Sequence, residues 1–282
     1  MQGKTVVVTG ATSGIGEVAA DRLAQKGARI VFVARDEARG EATLKHLNAI
    51  APGAAHTAHY GDLTRLSEMK RIAGEIAAAN RTIDVLVNNA GAMFATRQET
   101  GDGLEKTFAL NHMSYFVVTN LLLDRLKAAG NARVVSTASD AHKVGKIDFD
   151  DLQSTQRYSA FGEYGTSKLM NILFTRELAR RLKEAGAGVT ANCLHPGFVA
   201  TRFGDNNKGL MSFTFGLAKN FALTPEQGAQ TIIYLASSPE VEGKSGGYYV
   251  KSAATTPSRA AQNAADAARL WAVSAKIAGL GG

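Results

Sequence analysis

The stretch Thr5-Val6-Val7-Val8-Thr9-Gly10-Ala11-Thr12-Ser13-Gly14-Ile15-Gly16 decides the fold. Its first half is a short apolar, β-branched run, the pattern of a strand buried on both faces of a parallel sheet. Its second half sets three glycines in a G-x-x-x-G-x-G arrangement and opens into a helical pattern that continues through Lys26. Strand, glycine-rich turn and helix in that order let backbone N–H groups and a helix N-terminus face a pyrophosphate. Gly10, Thr12, Ser13, Gly14, Ile15 and Gly16 are therefore the candidate phosphate cradle, with a purely structural turn as the alternative reading.

Working outward, Arg29 to Ala34 gives a second strand, and Arg35-Asp36 stands at its C-terminal end. At such a tip an acid accepts the ribose 2′-hydroxyl and an arginine accepts a 2′-phosphate. The arginine comes first here, so NADP(H) is preferred and NAD(H) remains open, while Asp36 is either a helix N-cap or a ribose ligand. A strand near Ala55–Tyr60 leads to Asp62 and Leu63, where the carboxylate reads as an adenine contact or as a turn residue. Val85-Leu86-Val87 then runs into Asn88-Asn89-Ala90-Gly91, whose small residues allow close approach of a ligand to Asn89, Ala90 and Gly91, or merely cap the strand. Asp102 to Ala129 reads as one long helix carrying Asn111, an unfavourable interior residue unless something gains from it.

Arg133 to Thr137 is a further strand, ending at Ala138-Ser139-Asp140-Ala141-His142 on the carboxyl edge of the sheet, where open α/β folds bind ligands. In Tyr164-Gly165-Thr166-Ser167-Lys168 the phenol and the ammonium are four residues apart, one turn on one helical face. An adjacent cation favours the phenolate, so the pair is a candidate proton-transfer device, with an exposed pair of no function as the commoner alternative for such spacing taken alone. Val189 to Leu194 leads to His195-Pro196-Gly197, and Pro196, Gly197, Val199 and Thr201 are candidate cofactor contacts. Residues 198–223 mix glycines with phenylalanines and read either as a substrate lid or as surface helices packed by aromatic side chains. Thr224-Pro225-Glu226-Gln227 opens a helix to Ala236. Gly247 to Val250 is the last strand, and the tail 255–282 is helical, with Leu270, Trp271, Val273 and Ile277 as a packing face.

The 282 residues, with five prolines, suit one large α/β domain: a doubly wound parallel sheet of about seven strands with helices on both faces. The net charge of +7 is scattered among acids without a basic block, so no nucleic-acid partner is expected. No apolar run approaches a membrane span, and the chain enters a strand at Lys4, so no signal peptide or membrane anchor is expected and the location reads as cytoplasmic. The single cysteine, Cys193, lies in a strand-like run and reads as packing. The acids and histidines show no metal-ligand spacing, so no metal is expected.

Taken in order, Thr9-Gly10-x-x-x-Gly14-x-Gly16, Asn88-Asn89-Ala90-Gly91, a serine after the fifth strand and Tyr164-x-x-x-Lys168 resemble the short-chain dehydrogenase/reductase family across nearly the whole chain. Ser139-Asp140-Ala141-His142, the stretch Tyr164 to Leu182 and the tail around Leu270-Trp271 are most similar to its retinol dehydrogenase-like branch. The resemblance implies a Rossmann-type fold and hydride exchange between a nicotinamide and a carbonyl/alcohol pair, and the phenylalanines and few charges of residues 202–223 favour a hydrophobic small molecule as substrate. It implies Tyr164 as acid/base, Lys168 as the lysine that lowers its pKa and holds the ribose, Ser139 as the substrate-orienting serine and Asn111 as the support of a relay water. The gap from Ser139 to Tyr164 is longer than the family's usual dozen residues, although the branch carries a similar insertion. Family members often form homodimers or homotetramers. The rival reading from another class is a non-catalytic dinucleotide sensor or scaffold.

Overall fold

In the computed structural model, which describes residues 1–199 and 223–281, the run Thr5–Thr9 (β1) has Val6, Val7 and Val8 wholly buried. Val7 packs into the apolar cluster on one face of the sheet and Val6 and Val8 into that on the other, so the run is apolar because both faces are covered. The strands that follow are Arg29–Ala34 (β2), Thr57–Tyr60 (β3), Val85–Asn88 (β4), Arg133–Thr137 (β5), Thr190–His195 (β6), Tyr248–Val250 (β7) and Ala253–Thr255 (β8). Their order in the sheet is β3-β2-β1-β4-β5-β6-β7-β8. The chain reverses its direction of growth between β1 and β4, which opens a crevice at the carboxyl ends of those two strands.

Seven strands pair in parallel, and an eighth, β8, adds an antiparallel edge. The sequence reading stopped at β7 because the hairpin is joined by Lys251 and Ser252, both at positive φ, in place of the Asn-Gly type of turn that signals such a link. The Ser252 N–H donates to Thr231 Oγ1, an external bond that helps hold this turn.

Helices cover both faces: Gly14–Gln25 (α1), Glu37–Ile50 (α2), Leu66–Ala79 (α3), residues 106–128 (α4), Ala160–Glu184 (α5), Pro225–Ser237 (α6) and Ala264–Ala278 (α7). The expected helix from Asp102 begins later, at Lys106. The Asp102 carboxylate instead accepts from Leu66 N–H at the start of α3, and Glu105 caps the new helix by accepting from Phe108 N–H. Residues Ala109–Met113 of α4 form a π-turn, in which Ser114 N–H reaches back to the Ala109 carbonyl. Such turns widen a helix locally and are frequent at functional sites. This one carries Asn111 and His112. No helix among the described residues is long and apolar enough to cross a membrane.

The tail helix α7 lies across α4 and α5. Trp271 stacks on Phe174 at 5.8 Å and meets Phe116 edge-on at 4.9 Å, while Arg181 covers its ring at 4.5 Å. Beside them His112 is wholly buried, with Nε2 2.8 Å from Ser274 Oγ, and burial lowers its pKa to about 3. Between about pH 6.5 and 3 the unfolded chain therefore binds a proton that the folded chain refuses, and stability falls as the pH is lowered through that window. The loss of melting temperature between pH 7 and pH 5 should be smaller in His112→Gln than in the wild type; an equal loss would show that His112 does not drive the acid limb.

Candidate active site

Gly10 ends β1 with φ of +72°, a conformation that disfavours a side chain. A Cβ at Gly16 would meet the Gly10 carbonyl oxygen at 2.1 Å and Asn89 Nδ2 at 2.4 Å, so the first turn of α1 rests directly on the loop it follows. Asn89 locks this corner: its amide donates to the Thr9 and Gly10 carbonyls, and its oxygen accepts from Thr137 Oγ1. Thr9 Oγ1 accepts from the N–H groups of Asn89 and Ala90. The ends of β1, β4 and β5 are thereby one rigid rim.

A cleft of about 430 Å³ runs along that rim. Its walls include Gly10, Thr12, Ser13, Gly14 and Ile15 from the first loop, Arg35 at the end of β2, Asp62 and Leu63 after β3, and Asn89, Ala90 and Gly91 after β4. Tyr164 and Lys168 close the far end with Pro196, Gly197 and Val199. These segments, far apart in the chain, meet because the loops after β1, β2, β3, β4 and β6 leave the same edge of the sheet and α5 brings Tyr164 and Lys168 to it. Gly16 lies beneath the floor, and Thr201 is outside the described residues. Of the expected lid, 198–223, residues 200–222 also lie outside the described residues, and Leu223 N–H donates to the Phe198 carbonyl at 2.7 Å.

Asp36 resolves as the N-cap of α2, accepting from Arg39 N–H at 2.8 Å, and also borders the cleft. Asp62 accepts from Thr64 N–H at 2.9 Å, so the turn reading describes its bonding while the cleft reading describes its position. Arg39, not singled out from the sequence, adds a second guanidinium to the same wall. A signal for it exists: a basic residue in the first turn of a helix opposes the macrodipole, so an external anion is the natural beneficiary. Among the described residues neither Arg35 nor Arg39 is held in an ion pair.

Lys168 is buried, its Nζ donating to the Thr137 carbonyl at 3.0 Å and lying 5.5 Å from the centre of the Tyr164 ring. Asn171, one turn on, donates to the same carbonyl at 3.3 Å. Burial lowers the Lys168 pKa to about 7 and raises that of Tyr164 to about 12, the latter opposed by a hydrogen bond with Ser139. The expectation that the lysine depresses the tyrosine is thus reversed here. Desolvation by burial disfavours the charged form of each group. At neutral pH the phenol holds its proton.

Ser139 caps the short 3₁₀ turn Asp140–Lys143, accepting from Ala141 N–H, and hydrogen-bonds Tyr164 from just behind the lining of the cleft. Asn111 lies one layer below. Its amide spans both polar groups of Ala92, accepting from the N–H and donating to the carbonyl at 2.9 Å each, and donates to Ser167 Oγ at 3.0 Å. It therefore ties the loop after β4 to the helix that carries Tyr164. Cys193 is buried in β6, and burial raises its thiol to about 12, as packing requires.

The model for "short chain dehydrogenase" matches residues 4–209. Retinol dehydrogenase 12 of Mus musculus is 40% identical over 278 residues, covering 99% of this chain and 87% of that one. Among solved structures, an uncharacterized protein from Mycobacterium Paratuberculosis superposes with a TM-score of 0.80 at 34% identity, covering 99% of this chain and 94% of that one. A short chain dehydrogenase from Burkholderia cenocepacia in complex with NADP gives 0.69 at 26% identity over 88% of this chain and 95% of that one.

Because Gly16 faces backbone, Gly16→Ala should lower stability by about 1–3 kcal/mol, the usual range for overpacking, seen as an earlier urea midpoint. An unchanged midpoint would mean that the corner yields more easily than its spacing indicates.

Proposed function

The chain belongs to the short chain dehydrogenase family and acts as an oxidoreductase on CH–OH/C=O groups, and we propose that it is an NADP(H)-preferring member acting on hydrophobic carbonyl or alcohol substrates. The observation that carries this reading is the position of Tyr164 and Lys168 at one end of the cleft whose other walls are the glycine loop and the Arg35 wall.

The residues present fit a dinucleotide. Gly10 and Gly16 let the loop, the start of α1 and the segment after β4 pack closer than any Cβ would allow, and the loop into α1 presents its N–H groups at a helix N-terminus. Arg35 and Arg39 suit a 2′-phosphate, Asp62 and Leu63 an adenine edge, and Lys168 a ribose. When bound, the nicotinamide supplies the hydride. For reduction, Tyr164 holds its proton at neutral pH and is the donor to the carbonyl oxygen; Ser139, bonded to that phenol, orients the same oxygen. Oxidation runs the same path backwards, with the phenol taking up the proton. Asn111 fixes the loop at Ala92 against Ser167, and so keeps the spacing between the cofactor wall and the tyrosine helix constant.

A hydrophobic substrate is supported by the relative named as a retinol dehydrogenase and by the exposed apolar side chains of Val144, Phe161 and Phe198. Phe161 stands one turn before Gly165, and Val144 packs against that glycine.

Tyr164→Phe should lower turnover of a long-chain or aromatic aldehyde by at least 10²–10⁴-fold, the usual worth of general acid catalysis, while NADPH binding by fluorescence titration is retained. Activity near that of the wild type would overturn the assignment. Arg35→Ala and Arg39→Ala should each weaken NADPH by roughly tenfold, as the loss of one charge-assisted hydrogen bond implies, and leave NADH little changed. Equal losses for both cofactors would remove the two arginines from the phosphate site.

A further inference from the structure

His142 is wholly buried at the end of the turn that Ser139 begins, and both of its ring nitrogens are in use. Nε2 lies 3.1 Å from the backbone nitrogen of Ser258, which can only donate, so Nε2 is the unprotonated nitrogen. Nδ1 must then carry the hydrogen, and it donates to the Ser139 carbonyl at 2.7 Å. Burial holds the imidazole pKa below its ordinary value, which preserves this neutral tautomer near pH 7. A single ring thus joins the peptide of Ser139 to the segment that follows β8.

The same turn is gripped on its other sides. Tyr248 from β7 meets the His142 ring edge-on at 5.2 Å and donates from its hydroxyl to Asp140 Oδ1 at 3.1 Å. Asp140 N–H donates to His195 Nδ1 at the end of β6, and Lys143 pairs with the Asp140 carboxylate. Against α5 the approach is backbone to backbone: a Cβ at Gly165 would meet the Ala141 carbonyl oxygen at 2.7 Å, and one at Gly145 the Gly165 carbonyl oxygen at 2.5 Å. Gly165 adjoins Tyr164. The helix therefore sets how near the turn stands, whereas the histidine sets how the Ser139 peptide is rotated.

We propose that His142 is a positioning residue for Ser139, through which the C-terminal segment around Ser258 holds the serine in register with Tyr164. The inference rests on the reading of Ser139 and Tyr164 as the reacting pair, but the link it describes is physical and can be measured apart from turnover. Neither partner touches the cofactor walls, so loss of the link alters the orientation of the substrate oxygen and leaves dinucleotide binding alone.

Two substitutions separate the two nitrogens. His142→Asn retains a donor near the Nδ1 position but falls short of Ser258, and His142→Gln places an amide oxygen near the Nε2 position. Ser258→Pro removes the N–H from the other side. Expected are falls in kcat of about tenfold or more for His142→Asn, which keeps only the Ser139 bond, for His142→Gln, which keeps only the Ser258 bond, and for Ser258→Pro, each with unchanged NADPH affinity. The double variant His142→Asn with Ser258→Pro should lose no more than either alone, because the two act through one bond. Hydrogen exchange on the full chain provides the second readout: in His142→Asn, residues 136–145 and 253–262 should exchange faster together while α1 and β1 stay as in the wild type. Wild-type kcat in both single variants, additive losses in the double variant, or faster exchange in only one of the two segments would each overturn the link. Coupled exchange in a protein that turns over no carbonyl or alcohol would uphold the link and reject the catalytic reading instead.

Discussion

The hydrogen bond from Lys168 Nζ to the Thr137 carbonyl fixes the depth at which the 25-residue helix α5 sits on the sheet. Asn171 repeats the bond one turn later, so the helix is held at two points on one carbonyl. Thr137 also donates through its hydroxyl to Asn89, which in turn clasps Thr9 and Gly10. Through four side chains and one strand end, the tyrosine is therefore placed relative to the glycine loop. Burying an ammonium is costly, and the lowered pKa of Lys168 is the measure of that cost.

Much of this was legible in the sequence because its signals are local. The valines of β1 and β5 leave little choice but a buried parallel strand, and the glycine pattern between β1 and α1 has a steric cause seen directly at Gly16. Other features depend on groups far away in the chain. Asp102 looked like the start of a helix, yet its carboxylate is drawn to Leu66 N–H; the π-turn at Asn111 leaves no mark on apolar periodicity. The β7–β8 hairpin lacks a glycine in its turn, and the Lys168–Tyr164 spacing reveals proximity but not burial. Spacing alone suggested a depressed phenol, whereas the enclosed position raises it.

The raised phenol also changes how the pair is understood. A depressed tyrosine would be a base waiting for an alcohol. A buried, protonated one suits the proposed role of acid, with Ser139 bonded to it and Lys168 Nζ 5.5 Å from its ring centre. The two ends of the cleft differ: two guanidiniums, of Arg35 and Arg39, stand at one, and the buried Tyr164 and Lys168 at the other.

The most direct measurement is isotope transfer. Cofactor deuterated at C4 of the nicotinamide is incubated with the protein and a long-chain aldehyde in ordinary water, and the alcohol is read by mass spectrometry. The account predicts one deuterium on the carbinol carbon and none when the label is supplied as heavy water. Product labelled from the solvent, or no transfer from either face of the labelled cofactor across a broad set of carbonyl compounds, would contradict it.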